Sequence, residues 1–199
     1  MRGKGQRVGI LGGTFDPPHI GHLVAAVEVR HALQLDRVLL VVANEPWQKT
    51  HTRDISAAED RLAMVEAAVA GVEGLEACDL EITRGGPSYT VDTLGELAAA
   101  DPDGERFLIL GADAAGGLGT WERAEALPSL ATLVIVERPG LTPPPPTIGW
   151  ELVRVEMPRL DVSSTDLRQR EAEGRPLAFL TPDAVVSCIR ERRLYRGRP

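Results

Sequence analysis

Lysine is almost missing from this 199-residue chain: Lys4 and Lys49 stand against twenty arginines. With 29 acidic residues the net charge is −7, which excludes a general nucleic-acid binder, whose phosphate contacts need a basic face. A small phosphorylated ligand is still allowed, because a pocket needs only local positive charge. Cysteine is equally scarce. Cys78 and Cys188 match no metal or redox spacing, so two free thiols in a reducing cytosol are expected. No run approaches the roughly 18 apolar residues of a membrane span. The start, MRGKGQRVGI, lacks the apolar region of a signal peptide. These absences predict a cytoplasmic protein. Aromatics make up only 4% of the residues, so each Trp and Tyr raises a question of role.

What is present reads as one domain over 1–199, long enough to bury a sizeable core. Strands are predicted at 7–11 (RVGIL), 37–43, 75–83 (LEACDLEIT), 106–113 and 131–140, with a last one in ELVRVEM. Helical runs alternate with them at 20–33, 56–71 and 89–100, with helical turns around Trp121. Ser56 followed three residues later by Glu59 predicts a capping box for the second helix. The alternation indicates an α/β fold, a Rossmann-like doubly wound parallel sheet that binds ligands at the carboxyl ends of its strands. This core spans about 7–160. A small C-terminal helical part, about 161–199, holds SSTDLRQREAEG, capped by Ser or Thr. It also holds TPDAVVSCIRERRL, with Thr181 as cap and Pro182 at the first position. Four prolines, Pro143–Pro146, predict a surface loop without chemistry of its own. The Arg-rich end, IRERRLYRGRP, reads as a solvated helix face and leaves a homo-oligomer contact open.

The densest stretch is ILGGTFDPPHIGH at 10–22. Gly12 and Gly13 end the first strand, where a missing Cβ allows a tight turn and a close approach of a ligand to the backbone. Pro17 and Pro18 stiffen the entry to a helix. His19 and His22 share one face of that helix at its N-terminus, where open N–H groups and the dipole favour an anion. The glycine spacing fits neither G-x-x-x-x-G-K-[ST] nor G-x-G-x-x-G. Residue types alone leave three readings: an anion site, a glycine turn whose histidines cap the helix, and a zinc pair lacking an evident third ligand.

GGTFDPPHIGH resembles the first signature of the (H/T)xGH nucleotidyltransferase superfamily, here His19-Ile20-Gly21-His22. SSTDLR at 163–168 is similar to that superfamily's second signature, Ser-Ser-Thr-x-x-Arg. The resemblance runs from about Arg7 to Tyr195. RGGPSYTVDTL at 84–94, LGADAAGGLGTW at 110–121 and PWQK at 46–49 look like the bacterial nicotinate mononucleotide adenylyltransferases. PWQK is similar to the actinobacterial branch, with Trp47 and Gln48 where the widespread version has a His before the lysine.

The resemblance implies adenylyl transfer from ATP to nicotinate mononucleotide, giving nicotinate adenine dinucleotide and pyrophosphate in NAD biosynthesis. It implies His19, His22, Lys49 and Arg168 as catalytic residues. Gly12, Gly13, Thr14, Phe15, Ser164 and Thr165, with His19, His22 and Arg168, would bind ATP. Thr14, Tyr89, Thr90, Gly111, Asp113 and Trp121 would bind the mononucleotide. The chemistry fits these types: Trp121 offers a flat face for an electron-poor ring, and a helix start at Tyr89 and Thr90 can receive a carboxylate. Mg²⁺ would be carried by the ATP phosphates, with no protein ligand assigned. A closure of the 43–55 loop would bring in Lys49. Alternatives are transfer of an adenylyl or cytidylyl group to another phosphorylated acceptor, a nucleotide-sensing module without turnover, and a zinc-dependent hydrolase using the two histidines.

Overall fold

The structure, a computed structural model, describes residues 5–46, 55–137 and 149–196. Six strands, β1 (Arg7–Gly13), β2 (Arg37–Val42), β3 (Leu75–Cys78), β4 (Glu105–Gly111), β5 (Thr132–Glu137) and β6 (Leu152–Glu156), form one sheet. Its order is β3-β2-β1-β4-β5-β6, and every pairing is parallel. The inner strands are near-continuous apolar runs because both faces are covered. RVLLVV in β2 is buried from Val38 to Val42.

On one face lie α1 (Ile20–Leu33) and α2 (Ala58–Val69), with Ala26, Val29 and Val65 packed against Leu40, Val42 and Val134. The other face carries α4 (Thr90–Ala100), α5 (Ala112–Gly116) and two short 3₁₀ turns, Leu118–Thr120 and Ala124–Ser129. There Leu94, Leu118 and Leu127 meet Ile10, Leu108 and Ile135. A third apolar cluster joins α6 (Ser164–Ala172) and α7 (Asp183–Glu191) to α2 through Met64, Leu167, Val185 and Ile189. The doubly wound sheet expected from the alternation is therefore present.

Some local expectations change. The run 75–83 is a strand only to Cys78, and Leu80–Arg84 forms a short helix, α3. β2 offers this edge strand only four partners, and Asp79 then turns the chain by accepting Thr83 N–H at 2.8 Å on its carbonyl oxygen. β4 stops at Gly111, so Asp113 lies in the first turn of α5 and not in a strand. Ser56 does not cap α2. Ala57 is the N-cap, which moves Glu59 out of box spacing, while the Ser56 carbonyl accepts a bond from Arg61 Nε at 2.9 Å. Thr181 does not cap α7 either; Pro182 holds that position, and the Thr181 hydroxyl donates to Pro18 O at 2.8 Å. Ser163 does cap α6, accepting Asp166 N–H at 3.1 Å. Pro143–Pro146 lie outside the described residues.

The chain winds from β1 to β3 in one direction, returns, and continues from β4 to β6 in the other. The reversal falls between β1 and β4, and ligands bind outside the carboxyl ends of strands at such a point.

Candidate active site

Two clefts open at that reversal and meet at Gly12, Leu110 and Ala114. One, of ≈ 470 Å³, is lined by His19, Gly21, His22, Gly111, Asp113 and Ser163 among others. The second, of ≈ 220 Å³, is lined by Gly13, Thr14, Glu81, Ser88, Thr90 and Trp121 among others. A Cβ built on Gly12 meets nothing within 4 Å. The backbone between the clefts is thus open to both.

In the first cleft His19 is the N-cap of α1 and His22 sits three residues on. The His19 amide donates to His22 Nδ1 at 3.2 Å. A ring nitrogen that accepts carries no proton, so His22 holds its proton on Nε2 and presents a donor there. The two rings stack with centroids 3.7 Å apart and 21° between planes, and Phe15 sets its edge to His22 at 5.0 Å. Gly21 makes room for this stack. A Cβ there would come within 3.0 Å of His19 Nδ1 and 3.3 Å of a Val162 methyl, tight enough that the ring would have to shift.

The loop before α1 is held from the far end of the chain. Arg168 Nη1 donates to Asp16 O at 2.7 Å, Ser164 Oγ to Pro17 O at 2.8 Å, and Ile20 N to Leu180 O at 3.0 Å. Arg168 Nη2 also reaches Thr165 Oγ1 at 3.1 Å. Asp16, only 1% exposed, accepts the Tyr195 hydroxyl on Oδ1 at 2.7 Å. Burial and the neighbouring Asp16 charge push the Tyr195 phenol well above its ordinary range, so it stays a donor. The SSTDLR residues and the histidines, more than 140 positions apart, thus form one constellation.

From inside, Arg61 ties the other end of the same loop. It is 1% exposed and donates to Thr14 O at 3.0 Å, Ala43 O at 2.5 Å and Asn44 O at 2.9 Å, besides Ser56. Sequence reading missed it, though a signal exists: Arg61 shares the buried helix face of Met64, Val65 and Ala68. Tyr195 was missed as well, and its only mark is that the chain has just two tyrosines.

Beside the second cleft Tyr89 is the N-cap of α4; it packs on the apolar layer and does not line the cleft, and its side chain makes no capping bond. The first amide to bond back is Asp92, to Tyr89 O at 3.1 Å, so the Thr90 and Val91 amides precede the intrahelical ladder. Trp121 follows the first 3₁₀ turn and is packed on the apolar layer beneath the cleft. The expected acceptor residues divide here: Thr14, Thr90 and Trp121 share this cleft, while Gly111 and Asp113 line the histidine side. Lys49, with Trp47 and Gln48, lies outside the described residues, as does most of the 43–55 loop. Burial pushes the Cys78 and Cys188 thiols up, so neither is poised as a thiolate. Among the described residues no three His, Cys, Asp or Glu side chains gather to hold a metal ion, and no helix is long and apolar enough to cross a membrane.

Comparison with known proteins decides the relationship. The model of the cytidylyltransferase-like family matches residues 10–170. A "probable nicotinate-nucleotide adenylyltransferase" of Streptomyces coelicolor is 50% identical over 94% of this chain and 100% of its own length. One of Frankia casuarinae bearing the same name is 48% identical over 94% of this chain and 99% of its own. The chain belongs to the nicotinate-nucleotide adenylyltransferase family. The fold of this family member also matches a solved structure of the Plasmodium falciparum nicotinic acid mononucleotide adenylyltransferase complexed with NaAD. That match has a TM-score of 0.77 at 17% identity and covers 96% of this chain and 97% of that one. In this adenylyltransferase-family chain both signature stretches converge on the cleft that holds the stacked histidines.

Proposed function

We infer that this chain transfers the adenylyl group of ATP to nicotinate mononucleotide, releasing pyrophosphate and forming nicotinate adenine dinucleotide for NAD biosynthesis. The observation that carries this reading is the meeting of the two clefts across the open backbone at Gly12. One cleft suits a polyphosphate, the other a flat ring bearing an anion. The relatives' shared name supports the same acceptor.

The nucleophile is a phosphate monoester oxygen, already largely ionised at pH 7 because its second pKa is about 6. No protein base and no covalent intermediate are needed. Catalysis then consists of alignment for in-line attack at the α-phosphorus and stabilisation of charge on the equatorial and leaving oxygens. His22, with Nε2 protonated, and His19 donate to the triphosphate. The amides of Gly12, Gly13, Thr14 and Phe15 and the Thr14 hydroxyl meet the α-phosphate and the incoming phosphate. Ser164 and Arg168, which hold the loop carbonyls, and Thr165 at the start of α6 bring a helix N-terminus and a guanidinium to the β- and γ-phosphates. Lys49 supplies a further positive charge to the same phosphates. The Thr90 amide at the start of α4, beside Tyr89, receives the ring carboxylate, and Trp121 stacks on the ring. Asp113, on the histidine side, faces ribose hydroxyls beside Gly111. Mg²⁺ enters as part of the ATP substrate, held by phosphate oxygens and water.

Pyrophosphate release, measured with ATP or CTP against nicotinate and nicotinamide mononucleotides, tests the reading. ATP with the nicotinate acceptor should be the fastest pair, and it should stop on chelation of Mg²⁺. Tight ATP binding with no product from either acceptor would instead leave a nucleotide-sensing module.

A further inference from the structure

Glu81 stands in the wall of the ring-binding cleft and has no part in the transfer chemistry above. Its residue is 7% exposed. One carboxylate oxygen accepts the Thr93 hydroxyl at 2.5 Å, and among the described residues the side chain makes no other hydrogen bond or ion pair. The nearest cation in sequence, Arg84, pairs with Glu96 at 2.9 Å and reaches the Thr93 hydroxyl at 3.3 Å, so it meets Glu81 only through Thr93 and not by a direct bond. A carboxylate taken out of water without a bonded cation is costly, so its position calls for positive charge from the ligand. The same cleft presents Trp121, whose aromatic face also attracts a cation. A carboxylate and an aromatic face in one narrow cleft suit a flat, delocalised cation.

The acceptor carries such a group. A pyridine ring joined through its nitrogen to ribose is quaternary and positively charged at every pH. We propose that Glu81 is a specificity-determining residue that recognises the positive charge of the acceptor's pyridinium ring, with Trp121 lining the same cleft. Thr93 orients the carboxylate, and the start of α4 takes the ring's own carboxylate, so the two charges of a zwitterionic ring meet two different partners. This rests on the assignment of the second cleft to nicotinate mononucleotide. It adds to the cation attraction of the Trp121 face a second, carboxylate-borne discrimination between the oxidised ring and an uncharged one.

The test uses two acceptors that share ribose, phosphate and ring carboxylate: nicotinate mononucleotide and its 1,4-dihydro form, whose ring is neutral. The wild-type enzyme should favour the cationic acceptor in kcat/KM by about tenfold or more. In Glu81→Gln the cationic acceptor should lose about tenfold, while the neutral one stays within about twofold and the KM for ATP holds. Equal loss of both acceptors, as expected if Glu81 only braces Thr93 or holds a ribose hydroxyl, would overturn the assignment and leave the transfer reaction standing. A wild-type ratio near one would also overturn it, without reference to any variant. An enzyme that used neither acceptor would remove the underlying reading as well.

Discussion

The histidine cleft and the Trp121 cleft share Gly12 but are assembled differently. Much of the first comes from one continuous stretch, Gly12 to His22, where a capped helix start and Gly21 let two rings stack. The second is gathered from β1, α3, the start of α4 and the turn before Trp121, and none of these segments contains the others' signal. A site for polyphosphate can rest on backbone amides and a helix end, which short motifs encode. A site for a particular ring needs walls, and the walls come from wherever the fold supplies them. One side should therefore respond to substitution through turnover and the other through acceptor binding.

Arg61 offers the largest test, because it ties Thr14 of the shared loop to the end of β2. Arg61→Ala leaves several buried carbonyls without their donor and should cost about 3–5 kcal/mol of stability. A melting curve should show a fall of roughly 10 °C, and both clefts should weaken together. An unchanged melting point would mean the two clefts are braced independently. Next in size, His22→Ala should lower kcat by about 10² to 10³, the loss expected for one preorganised donor. The KM for the mononucleotide should barely move. Steady-state kinetics with each substrate varied would show this, and wild-type turnover would remove His22 from the chemistry.

Trp121→Ala should act on the other side, raising the mononucleotide KM by roughly tenfold, as the loss of a stacking face does, with ATP use less affected. If Trp121→Ala and His22→Ala gave the same pattern of kcat and KM, the division between clefts would be wrong. The smallest effect concerns Tyr195. Its phenol is raised in the fold, whereas an unfolded tyrosine ionises near pH 10. The folded state therefore binds the proton more tightly, and that part of stability is present below about pH 10 and lost as pH rises above it. Tyr195→Phe should flatten the decline of melting temperature between about pH 9.5 and 11 while costing about 1 kcal/mol near neutrality. An equally steep alkaline decline in the variant would assign it to other groups.

The parts of the molecule legible in advance follow the same division. The β-α alternation, α1 from Ile20, and the hydroxyl cap of α6, expected of Ser or Thr and made by Ser163, depend on contacts within a few residues. Ser56 misled because its carbonyl accepts from Arg61, whose guanidinium is held inside by Thr14, Ala43 and Asn44, and the helix starts one residue later. Thr181 misled in the same way, with its hydroxyl drawn to Pro18 across the fold. LEACDLEIT reads as a strand by composition, yet its second half turns into α3, and that turn brings Glu81 into the Trp121 cleft. No local rule announces such a residue. A glutamate beside an isoleucine looks like any solvated charge until the wall around it exists.

By itself the sequence determined the winding of the sheet, the helix that begins at the paired histidines, and the two signature stretches that mark nucleotidyl transfer. The first two follow from periodicity and capping, and the meaning of the signature stretches rests on their resemblance to known nucleotidyltransferases. Only the tertiary structure decided that Ser164 and Arg168 grip the Asp16–Pro17 carbonyls, that Arg61 carries the loop from within, and that Gly111 and Asp113 line the histidine side of Gly12. Those outcomes depend on which segments a parallel sheet brings together at its reversal point. A donor and a carbonyl more than 140 residues apart meet only because folding removes both from water and leaves each the other as partner.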